Sequence, residues 1–159
     1  MNFGVLMMGH EEGDIFCKIV HGEIDSAKVW EDNDYLAILD INPNTEGETL
    51  LLTKKHHRSY IFDMEDSDYA RYMLAVKKVV KLLEKGLGVK RVAIVVEGLG
   101  IDHAHVKLYP LHGLGRQFQE TWNKNIVYFR TYEGYISTQL GPKKELSELK
   151  KLADKINKR

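Results

Sequence analysis

The chain has 159 residues, 43% of them hydrophobic, which suits one domain with a continuous core and is too short for two full ones. Its 23 basic residues balance 23 acidic ones, so no global field is available to hold a nucleic-acid backbone or an anionic membrane, and any phosphate must be bound locally. A single cysteine, Cys17, excludes an intrachain disulfide framework and fits a reducing cytoplasm, and no run reaches the roughly 18 uncharged apolar residues of a membrane helix.

Residues 1–13 read as an N-terminal arm: Met1–Gly9 is mildly apolar without a basic start, and acidic Glu11, Glu12 and Asp14 follow directly. Residues 29–30 and 35–39 are short β-prone runs around the polar cluster Glu31-Asp32-Asn33-Asp34, the pattern of a hairpin. Asp40-Ile41-Asn42-Pro43-Asn44 breaks the pattern, and residues 49–53 resume it as another strand. From Asp63 the period changes: Tyr69, Tyr72, Met73, Val76, Val80 and Leu83 recur at three and four residues, as on the buried face of a helix that Asp63 caps and Gly86 or Gly88 ends.

Residues 91–96 form a further strand rich in branched side chains, residues 97–102 a glycine-containing turn, and residues 103–109 a strand closed by Pro110. Residues 126–132 and 135–138 have strand character, and residues 143–156, with Pro142 before them, pattern as an amphipathic helix. The fold class expected is α+β: an antiparallel sheet with one long helix packed on it, followed by a C-terminal strand and helix extension.

On the strand at 103–109, alternate side chains share a face, so His103, His105 and Lys107 line one surface while Ala104, Val106 and Leu108 line the other. Imidazole is a nucleophile, a proton carrier or a metal ligand near neutral pH, and a neighbouring lysine can hold a phosphate oxygen. On alternation alone the favoured reading is the solvent face of a half-buried strand.

The surrounding segments weigh against that alternative. Asp14-Ile15-Phe16-Cys17-Lys18-Ile19-Val20, Gly22-Glu23-Ile24, Glu31-Asp32, Leu36 through Pro43, Gly47 through His56, and His103-Ala104-His105-Val106-Lys107-Leu108-Tyr109-Pro110 occur in an order and spacing that resembles the histidine-triad family. The resemblance runs from about residue 14 to residue 110 and implies a histidine-triad-like domain over 14–115 with an extension over 116–159. It implies a nucleotidyl hydrolase or transferase in which the middle histidine, His105, attacks the α-phosphate, with His103 and Lys107 beside it. The implied ligand is an AMP-like purine nucleotide, with Phe16, Ile19 and Ile24 at the base, Asp40 with Ile41 at the ribose, and Glu48 and Gly100 near the phosphate; the three apolar residues read equally as ordinary core, and Asp40 as a turn former that bonds its own backbone. It also implies a homodimer paired through the long helix and a sheet edge.

Three departures from the family pattern matter. The third histidine is Lys107, and the histidine usual after Gly47 is Glu48; their opposite charges suggest that Glu48 faces Lys107 or His103 in one site. The loop before the triad is shortened to Glu97-Gly98-Leu99-Gly100-Ile101-Asp102, where Gly98 and Gly100 still let a backbone amide approach a phosphate and His112 is a further source of charge. Asp102 beside His103 is either a proton acceptor or a turn residue. Some members of the family hold zinc, and the matching places here are Asp14, Cys17, Glu48 and His103, an atypical set; the expected chemistry requires no metal. The rival readings are a nucleotide-binding module without turnover and a structural or partner-binding dimer.

Overall fold

The computed structural model describes residues 13–137 together with Lys143 and Glu145. The arm at 1–12 and nearly all of the helix expected at 143–156 lie outside the described residues. The chain divides into two compact units, the first ending at Arg116 and the second beginning at Gln117.

In the first unit β1 (Lys28–Glu31), β2 (Tyr35–Leu39), β3 (Thr49–Thr53), β4 (Val92–Val95) and β5 (His105–Pro110) form one sheet in the order β1-β2-β3-β5-β4, every neighbour antiparallel. The hairpin, the strand after it and the two strands flanking the glycine turn therefore all form, within one to two residues of the sequence reading. Tyr35, Ala37, Leu51, Ala104, Val106 and Leu108 point to one face, where α2 (Asp66–Leu87) covers them with Tyr72, Ala75, Val76, Val79 and Leu83. This spacing places five buried side chains on a single helical stripe. The fold is α+β, as expected.

The start of α2 differs from the sequence reading. Residues Ile61–Asp63 form a 3-10 turn, and Glu65 rather than Asp63 is the N-cap. No side chain caps this end, but Asp66 and Asp68 in the first turn complement the helix dipole. The other end stops at Gly88, whose left-handed φ of 68° is open to glycine at little cost.

The sequence reading has no helix near the N-terminus, yet α1 (Ile15–Val20) forms there. Six residues are too few for periodicity to register, and the helix stands on tertiary contact. Its Phe16, with Ile19 and Val20, packs onto Leu36, Ile38, Leu50 and Leu52, the face of the sheet away from α2. The sheet is thus covered on both faces, and His103 and His105 lie beside α1.

In the second unit no strand forms over 126–132 or over 135–137. The apolar run at 126–132 has β-propensity but pairs with no strand among the described residues, and propensity alone does not satisfy a strand's backbone. Phe118, Trp122, Ile126, Tyr128 and Tyr135 are exposed, and Phe129 sets its ring edge-on to Tyr135 at 5.0 Å.

Candidate active site

The alternation along β5 and the residues just before it is realised. Ala104, Val106 and Leu108 are fully buried under α2, while His103 and His105 contact Phe16 of α1 on the opposite face. The Phe16 ring stands edge-on to both imidazoles, 5.2 Å from His105 and 5.9 Å from His103 between centroids.

The Nδ1 of His105 lies 2.7 Å from the carbonyl oxygen of His103. A carbonyl can only accept, so Nδ1–H donates and Nε2 keeps its lone pair. Burial pushes the pKa of His105 below its ordinary value; the Lys107 charge adds to this and the bond to the His103 carbonyl opposes it. The result is a neutral imidazole of fixed tautomer, the state a nucleophilic histidine needs.

His103 is fully buried, and its Nε2–H donates to the Thr53 carbonyl at 2.7 Å. Its Nδ1 then faces the Asp14 carboxylate at 3.3 Å and the Cys17 thiol at 3.4 Å. His56 Nδ1 joins them, 3.3 Å from Asp14 and 3.5 Å from Cys17. Asp14 is also the N-cap of α1, accepting from the Cys17 amide at 2.9 Å and from its thiol at 3.0 Å. Burial raises the Asp14 pKa, but the two Cys17 bonds and the facing His103 outweigh it and hold the carboxyl at about 2.

One donor atom from each of Asp14, Cys17, His56 and His103 lies within 4.8 Å of every other. Ligand atoms around a tetrahedral zinc ion stand roughly 3.3–3.7 Å apart for bonds of about 2.0–2.3 Å. The separations of 3.0–3.5 Å are close to that spacing, and the Thr53 carbonyl gives His103 the outer hydrogen bond that a ligating imidazole uses. The donor set fits a divalent ion.

His56 replaces Glu48 in the expected ligand set. Glu48 precedes β3 and His56 follows it, so the strand's length separates them, and antiparallel pairing brings His103 to the His56 end. The same register corrects the expected partnership of Glu48 with Lys107. Thr49 pairs with Leu108 and Leu50 with Lys107, which places Glu48 opposite Tyr109. Glu48 is buried, accepts from the Asn44 amide at 2.7 Å and is hydrogen-bonded to the Tyr109 hydroxyl. Burial, then the Glu48 charge and hydrogen bond, raise the Tyr109 pKa to about 12.

Lys107 instead donates to Glu97 at 2.8 Å. Val95 of β4 is opposite Lys107, and Glu97, two residues further along the chain, is near enough for its charge to act on His105. Sequence reasoning places Glu97 in a turn and assigns it no role. His56 is likewise unassigned there, although it closes the matching stretch that begins at Gly47. Strand register, which determines both placements, is the missing signal.

The other expected residues divide. Ile19 packs with Leu36 and Ile38, whereas Ile24 and Ile41 are exposed, Ile41 at 89%. One Asp40 oxygen accepts from the Asn42 amide at 2.8 Å, the turn-former role, and the Asp40 amide donates to the Glu48 carbonyl. Gly100 has a φ of 86° and open space where a Cβ would stand. Asp102 is a turn residue: its carboxylate accepts from Ser59 and Arg58. The His112 ring bonds the Glu46 carbonyl at 2.8 Å.

Comparisons with known proteins place the chain in a family. The HIT domain family model matches residues 21–119. An uncharacterised HIT-like protein of Methanocaldococcus jannaschii is 41% identical over 101 residues, 60% of this chain and 77% of its own. The adenosine 5'-monophosphoramidase of Schizosaccharomyces pombe is 33% identical over 106 residues, 64% of this chain and 79% of its own. A crystal structure of a Streptococcus mutans protein is similar with a TM-score of 0.68 at 29% identity, covering 96% of this chain and 88% of that one. The family match spans well over half of the sequence and contains β1 to β5 and the long helix, so the chain belongs to the HIT domain family, the histidine-triad proteins.

Proposed function

We propose that this protein is a nucleotidyl hydrolase or transferase that cleaves at the α-phosphate of a nucleoside phosphoramidate, an adenylylated adduct or a dinucleoside polyphosphate. The observation that carries the reading is the tautomer of His105: its Nδ1–H is taken by the His103 carbonyl, and burial keeps the ring neutral. The Nε2 lone pair of His105 attacks the α-phosphorus, the bond to the leaving group breaks, and water then releases the nucleoside monophosphate. The imidazolium that forms stays bonded to the His103 carbonyl, while Lys107 faces the developing phosphate charge. Phe16 and Ile19 border the base, and Asp40, one of whose oxygens already orders its own turn, receives the ribose hydroxyls. The phosphoramidase activity named for the fission-yeast relative supports this class of reaction.

Rapid quenching during turnover of a slow adenylyl substrate, followed by mass spectrometry, tests the reading. One nucleotidyl mass is expected on the peptide containing His105. The adduct on His103 instead, or nucleotide binding with no adduct and no product, would sink it, the latter in favour of a binding module.

The four-donor cluster belongs to the same reading as a structural site. Asp14, Cys17, His56 and His103 would hold a zinc-like ion that fastens α1 to the β3 and β5 ends; the chemistry at His105 needs no contribution from it. Asp14→Ala removes an N-cap and one donor, and the cap alone is worth about 1 kcal/mol. Its melting midpoint should fall and should gain less from added zinc than that of the wild-type protein. Equal zinc responses in the two proteins would refute the assignment. The homodimer remains part of the proposal: β4 is an outer strand with Ile94 exposed, and α2 exposes Leu74 and Leu82. Light scattering that finds only monomer at micromolar concentration would remove it.

A further inference from the structure

We infer that Lys107, held in place by Glu97, biases this site toward substrates whose leaving group departs as a phosphate or polyphosphate anion, in preference to those that release an amine. The inference rests on the nucleotidyl-transfer reading and concerns the side of the site that the leaving group crosses.

Lys107 stands two residues beyond His105 on the same strand face, one step along the surface on which the phosphate is attacked. An imidazole there could be neutral or charged near neutral pH, whereas an ammonium carries its charge throughout that range. Left to itself a lysine side chain samples many rotamers. Here Glu97 Oε2 accepts from Nζ at 2.8 Å, with the carboxylate side chain 16% exposed and the lysine side chain 30% exposed. Lys107 is the more exposed partner, and so the more open to an outgoing group. Lys107 retains two more N–H donors for it. Glu97 is accordingly a positioning residue that acts through Lys107.

The balance of the reaction shows why the leaving group matters. As the bond from His105 Nε2 to the α-phosphorus forms, the bridging bond breaks and its electron pair leaves on the bridging atom. With a polyphosphate that atom is an oxygen whose negative charge grows toward the Lys107 ammonium, and the group departs as an anion without taking up a proton. With a phosphoramidate it is a nitrogen, which takes a proton from solvent water and departs as an amine or ammonium, neutral toward Lys107 or repelled by it. In both cases water next attacks the phosphorus, the bond to His105 breaks with its pair returning to the ring, and the water's proton is released. The preference is therefore set in the first step, in the transition state, where a fixed charge has its greatest effect.

The test compares kcat/KM for diadenosine triphosphate with that for adenosine 5'-phosphoramidate in the full-length wild-type protein and in Lys107→Met, Lys107→His, Glu97→Gln and His105→Asn. Lys107→Met should lower the polyphosphate value by about 100-fold, the usual cost of removing one charge-stabilising donor. The ratio of polyphosphate to phosphoramidate efficiency should fall at least about tenfold, with most of the loss in kcat and little in KM. Glu97→Gln should move the ratio the same way by a smaller factor, and Lys107→His should restore phosphoramidate turnover more than polyphosphate turnover. A merely structural role for the pair would depress both substrates equally.

An unchanged ratio in both Lys107 variants, or a fall in phosphoramidate efficiency larger than in polyphosphate efficiency, overturns the inference while leaving His105 as nucleophile. His105→Asn retaining either activity, or a wild-type protein that turns over neither substrate, overturns the nucleotidyl-transfer reading and this inference with it.

Discussion

His105→Asn is expected to lower turnover of any adenylyl substrate by at least about 10³-fold, equivalent to about 4 kcal/mol of transition-state stabilisation. The size follows from what the substitution removes. The asparagine amide can still donate to the His103 carbonyl, which holds the Nδ1 of the native ring at 2.7 Å, so local structure should survive. Nothing in the asparagine side chain reaches the Nε2 position, and an amide nitrogen has no available lone pair to attack phosphorus. Steady-state product formation measured by chromatography, beside a far-ultraviolet spectrum matching the wild type, checks the expectation. A residual rate within tenfold of wild type would show that another group attacks the phosphate. Because burial lowers the pKa of His105, its neutral form should persist throughout the neutral range. The decline in kcat/KM from its protonation should therefore appear on the acid side of the ordinary imidazole range.

Tyr72→Ala should cost about 3–5 kcal/mol, the range for emptying a fully buried aromatic site, and for a domain of this size that is a large share of total stability. Tyr72 is fully buried at the centre of the contact between α2 and the sheet. Its ring stacks on Tyr35 at 5.3 Å between centroids, and its hydroxyl donates to the Leu51 carbonyl, with the Ala104 carbonyl 3.3 Å away. Truncation would open a cavity and remove a donor that reaches β3 and the residue between the two histidines. Tyr72→Phe keeps the ring and loses only the hydroxyl, so it should cost about 1–2 kcal/mol. Urea melts of the three proteins decide the matter. A Tyr72→Ala loss below about 1.5 kcal/mol would mean that the core collapses around the site, or that α2 contributes less to the sheet than its packing indicates.

Both residues are legible in the sequence, and α1 is not. The face shared by His103, His105 and Lys107 is readable from the sequence because a strand repeats every two residues, and Tyr72 is readable because a helix repeats at three and four. The segment of six residues that became α1 shows no such repeat, so the approach of Phe16 to the histidines appears only in the folded chain. The strand character at 126–132 misleads for the related reason that propensity does not supply a partner.

What the sequence by itself determined is therefore the family, the α+β class, the two faces of the triad strand and the buried face of the long helix, all consequences of local period and of residues in fixed order. The tertiary structure decided which charges meet. Antiparallel register set Glu48 opposite Tyr109, Lys107 beside Glu97 and His56 near His103, and the packing of α1 on the sheet added Asp14 and Cys17. Sequence order holds no record of these pairings, because residues 10 to 89 positions apart become neighbours only when strands align and a one-residue slip would turn every side chain to the other face.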